Sequence, residues 1–220
     1  MSFKQDLIKI VEQGNLDEIA ALAEESSSVP TVLMSRLFAA EARTRWRAAD
    51  AMGRACEVIG RRDPSKVRHV LQRLVWALND ESGTTGWGVP QAIGEVIRSD
   101  VGLAREFAPL LVAYLEHEDV AVGTDVLVHG VIYALGRIGE RWPEVVRDGI
   151  PAMRARLGDG DATTRGLAAW ALGRAGARDA RAQVEALSGD GAQAERYEGG
   201  ELVRAEVGVM AREALAGLRG

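Results

Sequence analysis

The stretch HGVIYALGRIG, His129–Gly139, decides the fold. Its apolar residues recur at helical spacing, and glycines stand at its end. Related stretches recur along the chain and read RWRAADAMG, GWGVPQAIG, VHGVIYALG and RGLAAWALG, ending at Gly53, Gly94, Gly136 and Gly173. The successive intervals are 41, 42 and 37 residues. A period near 40 that holds two helices predicts an α-solenoid, in which each helix pair buries its apolar face against the next pair.

The second helix of each repeat is predicted from a separate set of signals. These helices are expected to end near Leu78, Leu115, Leu157 and Leu187. Pro109 and Pro151 lie 42 residues apart, which matches the glycine interval. Because proline fits the first turn of a helix, both are predicted to mark the start of a second helix.

The domain organisation follows from this repeat. We expect one α-solenoid domain over residues 1–220, with a helical cap at 1–42, which includes a third short helix over about Pro30–Ala42. About four helix pairs should occupy 43–188, a Gly-rich loop 189–200 and a single capping helix 201–220. Terminal repeats are often atypical because one of their faces meets water.

Composition and net charge argue against several classes of function and location. The net charge is −5, which argues against a nucleic-acid partner, since binding to phosphates depends on Lys and Arg. The chain has no apolar stretch of membrane-spanning length and begins without a signal-like apolar run, so we expect a cytoplasmic protein that does not enter a membrane. The single cysteine, Cys56, excludes an internal disulfide and is expected to be a small core residue.

The charge is unevenly distributed. Nine cationic and three acidic side chains from Arg43 to Arg73 give this segment a net charge of +6 and leave −11 for the rest of the chain. Such asymmetry can mark an interaction surface, but a solvated helical face with i,i+4 ion pairs is the favoured explanation. The candidate basic patch consists of Arg43, Arg47, Arg54, Arg61 and Arg62.

An aromatic and polar stripe is the main candidate binding site. Positions seven and three residues before each repeat glycine share one helix face. The candidate residues at these positions are Trp46, Asp50, Trp87, Gln91, His129, Tyr133 and Trp170. Aromatic side chains with polar tips are enriched at protein interfaces. The alternative is that several of these aromatic residues pack between adjacent repeats.

The segment Arg165–Gly176, RGLAAWALGRAG, follows the pattern R-x-x-A-A-x-A-L-G-R-x-G, and Arg45–Gly53 follows it in part. This pattern resembles the HEAT-like repeat of the type also found in phycobilin lyases. The resemblance covers roughly Arg43–Leu187 and implies an all-α, right-handed α-α superhelix of the HEAT/armadillo kind. It also implies an array used for protein–protein binding and sometimes adapted as an enzyme. Fold alone does not transfer function.

Enzymatic alternatives find weak support in the residues. HEAT-type deoxyhypusine hydroxylases hold iron through His-Glu pairs, but Gly130 follows His129 and the chain has three histidines in all. HEAT-like alkylpurine DNA glycosylases use Trp and Asp beside basic residues, which Trp46 and Asp50 resemble superficially, yet the acidic total argues against a DNA groove. A bilin lyase remains an alternative by resemblance only. No phosphate-binding loop or nucleophile motif is present in the sequence.

These observations predict a non-enzymatic binding or scaffold module that engages another protein. No catalytic residue, metal ligand set or cofactor is assigned from the sequence. The partner is expected to be acidic, or to accept aromatic side chains, because the candidate stripe is aromatic and the candidate patch is basic.

Overall fold

The computed structural model describes residues 3–79, 86–116 and 125–218. These residues form twelve α-helices and one two-stranded sheet. The helices are α1 Phe3–Gln13, α2 Leu16–Glu25, α3 Val29–Met34, α4 Ala42–Gly60, α5 Pro64–Leu78, α6 Val89–Ile97, α7 Val101–Glu116, α8 Asp125–Arg141, α9 Ile150–Ala155, α10 Ala162–Arg174, α11 Arg181–Ala186 and α12 Val207–Gly217. The strands are β1 Gln193–Glu198 and β2 Glu201–Glu206. None of the described helices is long and apolar enough to cross a membrane.

The helices fall into two compact units. The first unit is Met1–Ser99 with Gly199–Glu201, and the second is Asp100–Glu198 with Leu202–Gly220. In the first unit, α4 packs against α2, α5 and α6. In the second unit, α10 packs between α8 and α12, and β1 lies against α10. Each unit thus buries long, apolar first helices of the repeat against one another, as the period predicts.

The repeat glycines allow these first helices to approach closely. A Cβ on Gly53 would lie 2.7 Å from the Cβ of Glu95 on α6, and a Cβ on Gly173 would lie 2.7 Å from the Cα of Ala214 on α12. A Cβ on Gly136 would meet the indole ring of Trp170 on α10, 2.9 Å from Cε3. Real Cβ atoms do not come this close, so three of the four repeat glycines mark contacts between neighbouring first helices.

The arginine that opens the repeat pattern has the same local role twice. Arg45 Nη1 donates hydrogen bonds to the carbonyl oxygens of Ala39 and Ala40, both at 2.7 Å. Arg165 Nη1 donates to the carbonyl oxygens of Asp159 and Gly160, at 2.8 and 3.1 Å. In both cases the acceptors lie six and five residues earlier, so each arginine fastens the chain that enters its own helix.

Side-chain caps define several helix starts. Asn15, as its sequence position indicates, accepts a hydrogen bond from the Glu18 backbone N–H at 3.2 Å and caps α2. Asp63 caps α5 through the Lys66 backbone N–H at 3.1 Å, with Pro64 in the first turn. These short-range signals are readable in the sequence because they involve residues three apart.

Two predicted helix boundaries are wrong. The third helix ends at Met34 and continues only as a 3-10 turn, Ser35–Phe38, before α4 begins at Ala42. Pro109 does not start a helix but lies inside α7, which begins at Val101 after Asp100 accepts the Leu103 backbone N–H at 2.9 Å. Pro151 does lie in the first turn of α9.

The predicted loop at 189–200 and helix from 201 are also wrong, because β1 and β2 pair as a hairpin across Gly199 and Gly200 and α12 begins only at Val207. Both glycines have positive φ, 57° and 86°, the conformation that a two-residue hairpin loop requires. Ala194 and Tyr197 on β1 are buried, so the strand contributes to the core of the second unit.

Candidate functional site

An aromatic cluster forms in the second unit from residues of α8, α10 and β1. The rings of Tyr133 and Trp170 are stacked, with centroids 5.3 Å apart and planes inclined by 6°. Tyr197 meets Tyr133 edge-on at 6.3 Å. Gly136 leaves the space that the Trp170 ring occupies. Because Gly136 and Trp170 belong to consecutive first helices, the repeat itself creates this cluster.

Two arginines cover the cluster. Arg137 lies over the Tyr133 ring at 6.0 Å, and Arg174 lies over the Trp170 ring at 5.6 Å. Glu140 accepts hydrogen bonds from both guanidinium groups, at 3.2 Å from Arg137 and 2.5 Å from Arg174. A cation over an aromatic face is attractive, and the shared carboxylate fixes both side chains. The cluster therefore carries an ordered charged rim.

A recess of about 220 Å³ lies beside this rim. It is lined by Trp170, Gly173, Arg174, Arg196, Glu198, Glu213, Ala214 and Gly217. Small-molecule pockets usually occupy about 300–1,000 Å³. The recess is smaller than that range, and its volume suits one side chain of another protein. We call it the Trp170 pocket.

Arg196 is the fixed charge of the Trp170 pocket. Its side chain is only 11% exposed and pairs with Glu198 at 2.7 Å and Glu213 at 2.5 Å. Burial disfavours the charged guanidinium, but the hydrogen bonds to Glu213 and Glu198 outweigh it and raise the pKa of Arg196. Glu198 and Glu213 are about half exposed, so their carboxylate oxygens and the guanidinium of Arg174 are all available to a group that enters the pocket.

His129 belongs to a helix cap. Its Nε2 lies 2.8 Å from Asp161 Oδ2, and the same carboxylate oxygen accepts the Thr164 backbone N–H at 2.6 Å at the start of α10. Burial opposes ionisation of Asp161, but the hydrogen bonds from Thr164 and His129 prevail and lower its pKa. His129 is thus positioned by the first turn of the neighbouring helix and is partly exposed.

The predicted stripe is largely interior. Trp46, Gln91, Tyr133 and Trp170 are only 8%, 1%, 4% and 7% exposed, whereas Asp50, Trp87 and His129 are half-buried. The four buried side chains do not form an exposed face, because the first helices that carry them pack directly against their neighbours. Of the stripe, the structure brings Tyr133 and Trp170 into ring contact, and Trp170 also lines a recess.

Trp87 lies in the first unit beside the arginine that opens the repeat pattern there, Arg45. The Arg45 guanidinium lies 5.1 Å from the centroid of the Trp87 ring. The backbone N–H of Gly88 donates a hydrogen bond to the Leu37 carbonyl oxygen at 3.0 Å, which fixes the chain that enters α6. As its two flanking glycines indicate, Trp87 precedes α6 and lies in the entering turn.

The predicted basic patch is extensively paired. Arg54 and Arg61 both pair with Glu57 at 2.9 Å. Arg43 pairs with Glu201 at 3.3 Å. Arg47 contacts Glu201 and the Glu12 carbonyl, and Arg62 contacts Glu24 and the Ala23 carbonyl. Glu201 and Glu57 each pair with two of these five arginines, so the charge of the patch is compensated in part. Arg43, Arg61 and Arg62 remain exposed to solvent, whereas Trp46, which a DNA-binding face would need beside them, is buried.

No group of three or more His, Cys, Asp or Glu residues is placed to hold a metal ion in the part of the chain that the structure describes. His117, one of the three histidines, lies outside the described residues. Cys56 is buried, which raises the pKa of its thiol to about 12. A thiol with this pKa is protonated at neutral pH and is a poor nucleophile.

Arg137, Arg174 and Arg196 were not predicted as site residues from the sequence. A signal for the first two was present, since each follows a repeat glycine and stands four residues after an aromatic residue of the stripe. Residues at i and i+4 meet on a helix surface, so an aromatic–arginine pair could have been expected. Arg196 carries no comparable signal because it reaches the site from a strand that was predicted as loop.

Comparison with known proteins agrees with the fold. The chain is 28% identical over 183 residues to an uncharacterized protein of Archaeoglobus fulgidus, covering 81% of this chain and 91% of that one. An engineered protein solved by the Northeast Structural Genomics Consortium matches with a TM-score of 0.55 at 15% identity, covering 99% and 97% of the two chains. A designed armadillo repeat protein matches with a TM-score of 0.50 at 15% identity, covering 97% and 100%. No family model matches the chain. The predicted fold class, an all-α repeat of the HEAT/armadillo type, is confirmed.

Proposed function

We propose that the chain is a cytoplasmic, non-enzymatic protein-binding module that receives a side chain of its partner in the Trp170 pocket. The observation that carries this proposal is the pocket itself, about 220 Å³ in volume, with an aromatic wall and charges of both signs. Interfaces concentrate their energy in a few well-packed sites where aromatic and arginine side chains meet. The fold adds general support, because helical-repeat proteins use extended surfaces to bind partners.

Preorganisation distinguishes this site from an ordinary charged surface. Arg174 is held between the Trp170 ring and Glu140, and Arg196 is held between Glu198 and Glu213. Side chains that are already ordered lose less conformational entropy when a partner binds. A polar partner group can therefore exchange water for hydrogen bonds with the rim while its apolar part contacts the pocket wall.

The test compares partner capture by three forms of the protein. Wild type, Arg174→Glu and the control Arg154→Glu would each be immobilised and exposed to extract of the source organism. Arg154 is a partly exposed arginine of the second unit that pairs with Asp179 at 3.0 Å and does not line the pocket. We expect a defined set of proteins on wild type and on Arg154→Glu that Arg174→Glu fails to retain. Identical sets on all three forms would contradict the proposal.

A further inference from the structure

Helix α5 presents an exposed tryptophan that the sequence reasoning did not use. Trp76 is 74% exposed, while Val67, Leu71 and Leu74 on the opposite side of the helix are buried. His69 and Gln72 are exposed and precede Trp76 at intervals of seven and four residues, so they share its outward side. A tryptophan buries about 150–250 Å² when it packs. A partner that covers this ring would remove apolar area from water, which is favourable.

The charge on α5 is of one sign. The helix contains Lys66, Arg68 and Arg73 and no Asp or Glu. Lys66 Nζ donates to the Ser27 hydroxyl at 2.6 Å, and Arg73 Nη1 donates to the Thr31 hydroxyl at 3.4 Å. Within the described ranges, neither Lys66 nor Arg73 has a carboxylate at ion-pair distance. This differs from α4, where Arg43, Arg47 and Arg54 pair with carboxylates.

We propose that the outward side of α5, consisting of Lys66, His69, Gln72, Arg73 and Trp76, is a second docking surface and binds an acidic segment of a partner protein. The indole of Trp76 enters an apolar recess of the partner, and partner carboxylates pair with Arg73 and Lys66. Charge complementarity selects the partner, since cations bound only to hydroxyls gain most from a new carboxylate. This surface lies in the first unit and does not depend on the Trp170 pocket.

The charge balance favours a protein over a nucleic acid. Binding to a phosphate backbone draws on many Lys and Arg residues along a groove. This helix carries three cations within a segment, Arg43–Arg73, of net charge +6, and the rest of the chain carries −11, so a polyanion that extends beyond the segment is repelled. A short acidic protein segment needs only the few charges that α5 offers.

The experiment selects peptides without assuming their sequence. A phage library of random 12-residue peptides would be selected on the full-length wild-type protein at low salt, and the enriched peptides measured by fluorescence polarisation. The variants are Trp76→Ala, Arg73→Glu and the control Arg61→Glu, an exposed arginine that pairs with Glu57 on α4. Far-UV circular dichroism would verify folding, which these exposed substitutions should leave unchanged.

We expect enriched peptides that combine Asp or Glu with large apolar residues. Trp76→Ala should weaken their binding about 30-fold, as loss of an aromatic anchor does, and Arg73→Glu about tenfold. Arg61→Glu should stay within about twofold, and higher salt should weaken wild-type binding. The proposal is overturned if no peptide is enriched, if enriched peptides lack carboxylates, or if Trp76→Ala binds as wild type does. It is also overturned if a labelled single-stranded DNA 20-mer binds and Trp76→Ala abolishes that binding.

Discussion

Replacement of Gly136 by alanine tests the central packing contact of the second unit. The new Cβ would lie 2.9 Å from Trp170 Cε3 and 3.0 Å from Cη2, where carbon atoms normally stay about 3.5–4.0 Å apart. The Trp170 ring has little freedom to retreat, because Tyr133 stacks on it and Arg174 covers it. Overpacking of this kind costs about 1–3 kcal/mol, and the higher helix propensity of alanine returns about 1 kcal/mol. We expect Gly136→Ala to lower the free energy of unfolding by up to about 2 kcal/mol.

Urea unfolding followed by circular dichroism at 222 nm would measure this loss, and the near-UV signal of the stacked rings should change with it. A double-mutant cycle gives the sharper result. In a Trp170→Leu background the ring is absent, so Gly136→Ala should be neutral or stabilising, with a coupling energy of about 2 kcal/mol. Gly158→Ala, where a Cβ would meet no atom within 4 Å, serves as the control and should change stability by less than about 0.5 kcal/mol. An equal loss in both backgrounds would refute the steric argument.

Three further predictions concern the polar or buried side chains of Asp161, Cys56 and Asp190. Asp161→Ala removes the cap of α10 and should cost about 1–2 kcal/mol. Because the pKa of Asp161 is lowered in the fold, its ionised form stabilises the protein above about pH 4, and this contribution disappears as the pH falls through the folded value. In urea titrations between about pH 6 and 3, the stability difference between wild type and Asp161→Asn should therefore be largest at about pH 6 and shrink as the pH falls. Cys56, with its pKa raised to about 12, should react with Ellman's reagent only after unfolding in guanidinium, and rapid reaction in buffer would contradict its burial. Asp190→Ala removes the carboxylate oxygen that accepts from Arg165 Nε at 3.0 Å and from Nη2 at 2.8 Å, and it should lower the free energy of unfolding in urea by about 1–3 kcal/mol. The control Asp179→Ala removes an exposed ion pair with Arg154 and should cost less than about 0.5 kcal/mol. Equal losses would show that burial of the Arg165–Asp190 pair is unimportant.

The helical repeat could be predicted because it is written in local intervals. Gly53, Gly136 and Gly173 recur at the period of the fold, and Asn15 caps its helix with an acceptor three residues from the donor. The hairpin was missed even though Gly199 and Gly200 are typical of its two-residue loop. The glycines and charged residues around this loop have the composition of a linker. Only the burial of Ala194 and Tyr197 shows that β1 belongs to the core.

The candidate stripe shows that a sequence pattern can place residues on one helix face without predicting whether that face is buried. A shared helix face places Trp46, Gln91, Tyr133 and Trp170 in register, but it does not say whether that face meets water or another helix. The repeat glycines decide this, because they bring the neighbouring first helices within contact distance. The same spacing that indicated an interface therefore describes a packed interior for these four residues.

The sequence alone determined the helical content, the period and the arginine and glycine positions that the repeat reuses, since all of these depend on neighbours within one or two helical turns. Only the tertiary structure decided which aromatic residues are buried, that Arg196 reaches Glu198 and Glu213 beside Trp170, and that Trp76 stands exposed on α5. These properties depend on contacts between residues distant in the chain. HGVIYALGRIG specifies a helix by itself, but Gly136 acquires its role only when Trp170, 34 residues later, packs against it.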